Sequence, residues 1–195
     1  MRVVVLGVFM VMLLVMPGMA EPDTPGGPGA ADIDTQTPVL DGSAFTNYDT
    51  VFLHGTMAEA NEASYDVFRE GDVTDGHIIT LNPSADYAFI ECPFYSYDSK
   101  QGGIYPAVRY LGLQYKTSGE AEIPSLNVYN GPSYVKTILF TPPLKSTGGF
   151  TLKVIDLGGW IRFNRGLNMD LKLLNPSLTN TGMVKIGAYG ARFEW

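Results

Sequence analysis

Met183-Val184-Lys185-Ile186-Gly187-Ala188-Tyr189-Gly190-Ala191-Arg192-Phe193-Glu194-Trp195 is the stretch that decides the fold. Apolar and polar side chains alternate in it at the period of a strand, but the phase changes partway. Val184 and Ile186 share one parity; Tyr189, Ala191, Phe193 and Trp195 share the other. Successive strand residues point to opposite faces, so an unbroken strand would send its two halves to opposite sides of a sheet. One extra residue at Gly187 or Gly190, a β-bulge, returns both halves to one face. The segment therefore reads as a long strand sewn into a sheet at its C-terminal end. No apolar tail follows Trp195, so no C-terminal lipid or membrane anchor is expected.

Upstream, short apolar runs alternate with turn signals in the same way. Residues 50–54, 77–81, 87–92, 105–115, 121–129, 134–141, 150–155, 160–163 and 169–173 read as strands, divided by Asn82-Pro83, Ser118-Gly119, Asn130-Gly131-Pro132, Gly158-Gly159 and Asn175-Pro176. Period-two alternation is plain where Phe150, Leu152 and Val154 oppose Thr151 and Lys153, and where Met169, Leu171 and Leu173 oppose Asp170 and Lys172. Such strands have one core face and one wet face. Many short strands at this spacing predict an all-β fold, an antiparallel β-sandwich of jelly-roll type. One helix is expected near residues 57–69. Thr56 and Glu59 form a capping box, and Met57, Ala60, Ala63 and Val67 recur at helical spacing.

The N-terminus has a different character. Arg2, an apolar run over residues 3–15, and Pro17-Gly18-Met19-Ala20 make the tripartite pattern of a secretory signal peptide over residues 1–20. The run is too short to span a bilayer. No cysteine lies at the cleavage point to carry a lipid. Residues 21–41, with Pro22, Pro25, Gly26, Gly27, Pro28 and several acids, read as a flexible acidic linker. Residues 42–195 then form one domain, long enough to bury about two-thirds of its unfolded surface.

The net charge is −7, which with secretion disfavours nucleic acid as a partner. Between Glu21 and Phe68 there are nine acids and no Lys or Arg, whereas ten bases face five acids between Arg109 and Trp195. That polarity offers a basis for head-to-tail assembly. Cys92, the single cysteine, lies in the apolar run Ala88-Phe89-Ile90-Glu91-Cys92 and reads as a buried side chain. It can make no disulfide within the chain. Both Asn82-Pro83-Ser84 and Asn175-Pro176-Ser177 carry proline where N-glycosylation forbids it.

Catalytic motifs are lacking. His54 and His77 have no nucleophile beside them, and the carboxylates Glu91, Glu120, Glu122, Asp156 and Asp170 fall on or near strands with no spacing that pairs them. A non-enzyme with no cofactor is expected. Asp72 and Asp75, in Glu70-Gly71-Asp72-Val73-Thr74-Asp75-Gly76, are candidates for a structural calcium ion, without EF-hand spacing. Phe94, Tyr95, Tyr97 and Tyr105 surround a polar, glycine-containing loop and are candidate ligand or interface aromatics. The first expectation is a secreted structural protein of the cell envelope that assembles with itself into a surface layer, sheath or filament. The alternative is an extracellular module that binds cell-surface polysaccharide.

Overall fold

A computed structural model of the protein describes residues 45–61, 67–83, 87–95, 103 and 105–195. The predicted signal peptide and linker lie outside them. Eleven strands run in chain order: β1 (Tyr48–His54), β2 (Glu59–Ala60), β3 (Val67–Asp72), β4 (Gly76–Leu81), β5 (Tyr87–Phe94), β6 (Ala107–Ser118), β7 (Glu122–Asn130), β8 (Ser133–Leu144), β9 (Thr151–Ile161), β10 (Leu167–Leu174) and β11 (Gly182–Glu194). They form two sheets. The six-stranded sheet has the order β3-β4-β11-β6-β9 with β1 beside β11, and the five-stranded sheet the order β2-β5-β10-β7-β8. Every described pairing is antiparallel. The chain crosses repeatedly between the sheets, giving the expected jelly-roll-like sandwich.

Alternation explains the core. Leu111, Leu113, Val184, Ile186, Tyr189 and Ala191 of one sheet meet Ile90, Cys92, Leu126, Val128, Met169, Leu171 and Leu173 of the other, all buried. Burying each large apolar side chain contributes roughly 1.5–3 kcal/mol. Cys92 lies deep in this layer, and burial raises its thiol well above the usual range, so it is inert packing. On β11 the register against β6 slips between Ile186 and Ala188. Gly187 is thus the extra residue, and the apolar residues before and after it all face inward, as the change of phase requires. Gly190 has a different role: a Cβ there would stand 2.4 Å from the Val51 carbonyl oxygen and 2.9 Å from the Phe52 ring, leaving no room for a side chain.

Two expectations are corrected. In place of a helix over 57–69 there is a 3-10 turn at Gly55–Met57, then β2, then β3; residues 62–66 lie outside the described residues. Thr56 does not cap a helix. Its N–H is directed at His54 Nδ1 (3.4 Å), and Glu59 pairs with Glu91 on β5. Non-local pairing overrides a local helical pattern here. Likewise the two strands expected at 150–155 and 160–163 are one strand, β9 (Thr151–Ile161), because Gly158-Gly159 bends the strand rather than ending it. Gly158 has φ of +75° and donates its N–H to Asp156 Oδ1 at 2.7 Å. Across the open side of the sandwich, Lys136 Nζ on β8 donates to the Leu157 carbonyl on β9 at 2.6 Å.

The chain ends of the domain are joined. Thr46 and Asn47 donate backbone N–H groups to the Trp195 carbonyl, and Trp195 donates back to Asn47.

Candidate functional site

The outer face of the five-stranded sheet is where polar chemistry collects. On β5, Ala88, Ile90, Cys92 and Phe94 point inward, so Tyr87, Phe89, Glu91 and Pro93 point out. On β10, Leu167, Met169, Leu171 and Leu173 point inward, so Asn168, Asp170 and Lys172 point out. Register then does what spacing along the chain does not. Glu59 lies opposite Glu91, Glu91 opposite Asp170, Asp170 opposite Asn127, and Asn127 opposite Thr137. One row of polar side chains crosses five strands, a track roughly 19 Å long at ordinary strand spacing.

The row is internally wired. Thr137 Oγ1 donates to Asn127 Oδ1 at 2.6 Å, Asn127 Nδ2 donates to Asp170 Oδ2 at 3.4 Å, and Asn61 Nδ2 donates to Glu91 Oε1 at 3.2 Å. Asp170 is only 9% exposed, and its Oδ1 has no hydrogen-bond partner among the described residues. Burial raises the Asp170 carboxyl above its ordinary range; the Asn127 bond opposes this and the neighbouring Glu91 charge adds to it. Like charges directly opposite on adjacent strands destabilise a sheet, so the three carboxylates are a cost to the fold. Lys172, one row along, sits 3.2 Å over the Tyr87 ring.

Rings border the track. Tyr134 is 59% exposed, meets Tyr129 edge-on at 5.8 Å, and places its hydroxyl 2.9 Å from Thr137 Oγ1. Tyr87 is exposed at the other side. Carboxylate acceptors, an amide, hydroxyls and exposed ring faces in one line suit a polyhydroxylated chain. Its hydroxyls bond in the plane of each sugar, and its C–H faces stack on rings.

The residues singled out in the sequence fall in several places. Phe94 is a correction: β5 keeps its alternation through Pro93, so Phe94 takes the inward parity and is 5% exposed, stacked on Phe193 at 5.9 Å. Tyr95 is 81% exposed and continues the outward parity of Glu91 and Pro93 just past the strand end. Tyr97 lies outside the described residues. Tyr105 is exposed, apart from the row, with the Arg162 guanidinium 5.8 Å over its ring. Of the candidate carboxylates, Glu91 and Asp170 are brought side by side. Asp156 is instead held by Arg109 in a two-pronged pair at 3.0 Å, which keeps its carboxyl below the ordinary range.

At the suggested calcium loop, Asp75 is paired with the Lys185 ammonium and Asp72 closes the β3–β4 turn by pairing with Gly76. Among the described residues no group of three His, Cys, Asp or Glu is placed to hold a metal ion. An ammonium occupies the position a cation would take at Asp75, so the melting temperature is expected to be the same with and without EDTA. A drop on chelation would support the calcium site.

No protein-family model matches the chain, and no curated protein matches it. Solved structures to which it is similar include the C-terminal CBM6 of LamC, a marine laminarinase from Zobellia galactanivorans, at 12% identity over 75% of this chain and 100% of that chain, with a TM-score of 0.42. Another is CBM35 from Paenibacillus barcinonensis, at 16% identity over 72% of this chain and 97% of that chain, with a TM-score of 0.39. A third is CBM29_1, a family 29 carbohydrate binding module from Piromyces equi, at 11% identity over 73% of this chain and 91% of that chain, with a TM-score of 0.40. Similarity at TM-scores of 0.39 to 0.42 carries no argument about ligand.

Proposed function

We propose that the protein is a secreted, non-catalytic module that binds a neutral polysaccharide along the row Glu59, Glu91, Asp170, Asn127, Thr137. The observation that carries this reading is Asp170: nearly buried on an outer sheet face, flanked by a second carboxylate, and short of a partner at Oδ1. A fold gains nothing from such an arrangement. A ligand rich in hydroxyl donors gains a set of acceptors already in place, with Tyr134 and Tyr129 beside them for stacking. Acidic polysaccharides meet three carboxylates and are repelled. The first expectation, a self-assembling envelope subunit, leaned in part on the polarity of charge along the chain. Within the domain Lys185 already pairs with Asp75, Arg109 with Asp156, and Lys145 with Glu120 and Glu122, which leaves head-to-tail assembly less charge to use.

Affinity electrophoresis against hydroxyethyl cellulose, xylan, galactomannan and polygalacturonate tests the reading. At least one neutral polymer should retard the protein and polygalacturonate should not. Asn127→Ala and Tyr134→Ala should each weaken retention about tenfold, or about 1.4 kcal/mol. Retention by none of them, or by polygalacturonate alone, would remove the proposal, and release of reducing ends from the bound polymer would remove its non-catalytic part.

Asp170→Asn adds a stability readout with a definite sign. Because the folded carboxyl titrates above its unfolded value, the native state binds more protons than the unfolded one between those two values. Stability from this group therefore falls as pH rises through that window. Asp170→Asn is expected to melt higher than the wild type at pH 7, to lose that advantage as pH falls below the ordinary carboxylate range, and to bind polymer less well. A variant that melts lower at pH 7 would make Asp170 a structural residue.

A further inference from the structure

The opposite face of the sandwich carries a second, differently built cavity. Along β11 the neighbour changes: β4 pairs with residues 182–186 and β1 with residues 188–194, and the bulge residue Gly187 falls between them. A cavity of about 430 Å³ opens there, lined among others by Phe52, His54, Gln114, Phe150, Gly187 and Ala188. That volume is within the roughly 300–1,000 Å³ of small-molecule sites. The absence of a side chain at Gly187 is what admits its neighbours: a Cβ there would stand 2.8 Å from the Phe150 ring and 2.9 Å from Gln114 Oε1.

The cavity's chemistry narrows its occupant. Among the described residues that line it, none is Asp, Glu, Lys or Arg, although the chain as a whole carries a charge of −7. Two aromatic rings, Phe52 and Phe150, supply apolar walls. His54 supplies a donor: its Nδ1 faces the Thr56 N–H at 3.4 Å and the Thr56 hydroxyl at 3.0 Å. With Nδ1 accepting, the ring proton resides on Nε2. A neutral ring compound with C–H faces for the walls and hydroxyls for imidazole and amide matches this lining.

We infer that this cavity binds a single neutral pyranose ring, as a second sugar site independent of the carboxylate row. Only its consequence rests on the polysaccharide reading: with sites on both outer faces, one domain can hold two glycan chains at once.

Titration of isotope-labelled protein with methyl β-D-glucopyranoside, methyl β-D-galactopyranoside and methyl α-D-mannopyranoside, followed by amide and imidazole NMR, tests it, with glucuronate and glucosamine as charged controls. One neutral glycoside should move the His54 and Gly187 resonances saturably, and more tightly than either control. Phe150→Ala should weaken that binding about tenfold, and Asp170→Asn should leave it unchanged. Phe150 sits at the surface just before β9, so the dispersion of the variant's spectrum checks its fold; Gln114→Ala, expected to weaken binding likewise, serves if that check fails. No saturable shift at His54 or Gly187 with any neutral glycoside overturns the second site, as does tighter binding of a charged sugar. Shifts confined to Asn127 and Tyr134 overturn it while upholding the polysaccharide row, and no shift anywhere together with no polymer retention removes both.

Discussion

Replacing Gly55 by alanine is expected to leave the protein largely unfolded or melting at least roughly 6 °C lower, at about 3 kcal/mol or more of overpacking and 2–4 °C per kcal/mol for a domain of this size. A Cβ at Gly55 would sit 1.6 Å from the Ile186 carbonyl oxygen, inside any permissible contact. From the other side, a Cβ at Gly76 would sit 2.0 Å from the same oxygen, and Gly76 has φ of +74°, where a side chain is strained in any case. The carbonyl has nowhere to go. Ile186 is fully buried and paired with Tyr115 on β6 and His77 on β4, immediately before the bulge. Two glycines far apart in sequence therefore grip one peptide group on the central strand. Thermal melting by far-ultraviolet circular dichroism measures the effect, with Gly148→Ala as control, since a Cβ there meets nothing within 4 Å. A Gly55→Ala protein that melts with the wild type would mean that the approach at Ile186 is not as close as described.

Glu194→Gln is the second large effect, expected to lower unfolding free energy by about 3–5 kcal/mol in urea titrations. Glu194 is 2% exposed; its Oε2 accepts from Trp160 Nε1 at 2.7 Å, and its Oε1 lies 3.2 Å from Arg192 Nε. Arg192 is buried as well, its guanidinium 4.0 Å over the Tyr48 ring. Glutamine keeps an oxygen for Trp160 but leaves the arginine charge out of water without its counter-ion. Removing the charge too, in Arg192→Met/Glu194→Gln, should recover most of the loss, because no unpaired charge is then left out of water. The sign of the coupling is the test. If the double variant is less stable than Glu194→Gln alone, Arg192 contributes through packing on Tyr48 rather than through charge.

How much of this was legible in the residues follows from which interactions are local. The phase change across Gly187 announced a bulge because alternation is written along one strand. The same holds for the inward face of β10, which alternation in residues 169–173 marked in advance; on β9 alternation named the wrong face, since Ile155 and Leu157 are the buried residues and register sets Leu152 and Val154 opposite Gln114 and Gly112, away from Leu111 and Leu113. The false helix over 57–69 shows the limit. Thr56 to Phe68 satisfies a helical period, but Glu59 and Ala60 find backbone partners on β5, thirty residues away, and no local pattern reports a distant edge. The carboxylate row failed to declare itself for the same reason. Glu59, Glu91, Asn127, Thr137 and Asp170 are scattered over the chain, and only the register of four strand pairs lines them up. Phe94 misled because its aromatic neighbours suggested a surface cluster, whereas counting parity from Ala88 through Ile90 and Cys92 would have put it inside.

The joining of the domain's two ends gives the fold a mechanical direction. Tyr48 pairs with Glu194 and His54 with Ala188, so β1 and β11 start and finish at the same end of the sandwich. Tension between the residues before Phe45 and a hold on Trp195 would not shear all of these pairs together; it would part them one after another, like a zipper, from Tyr48 toward His54. β1 is then the first element to yield. Phe52 and His54 ride on that strand, whereas the carboxylate row lies on the other sheet. A pull on the chain ahead of Phe45 would open the small cavity at low force and leave the long track across the far sheet intact.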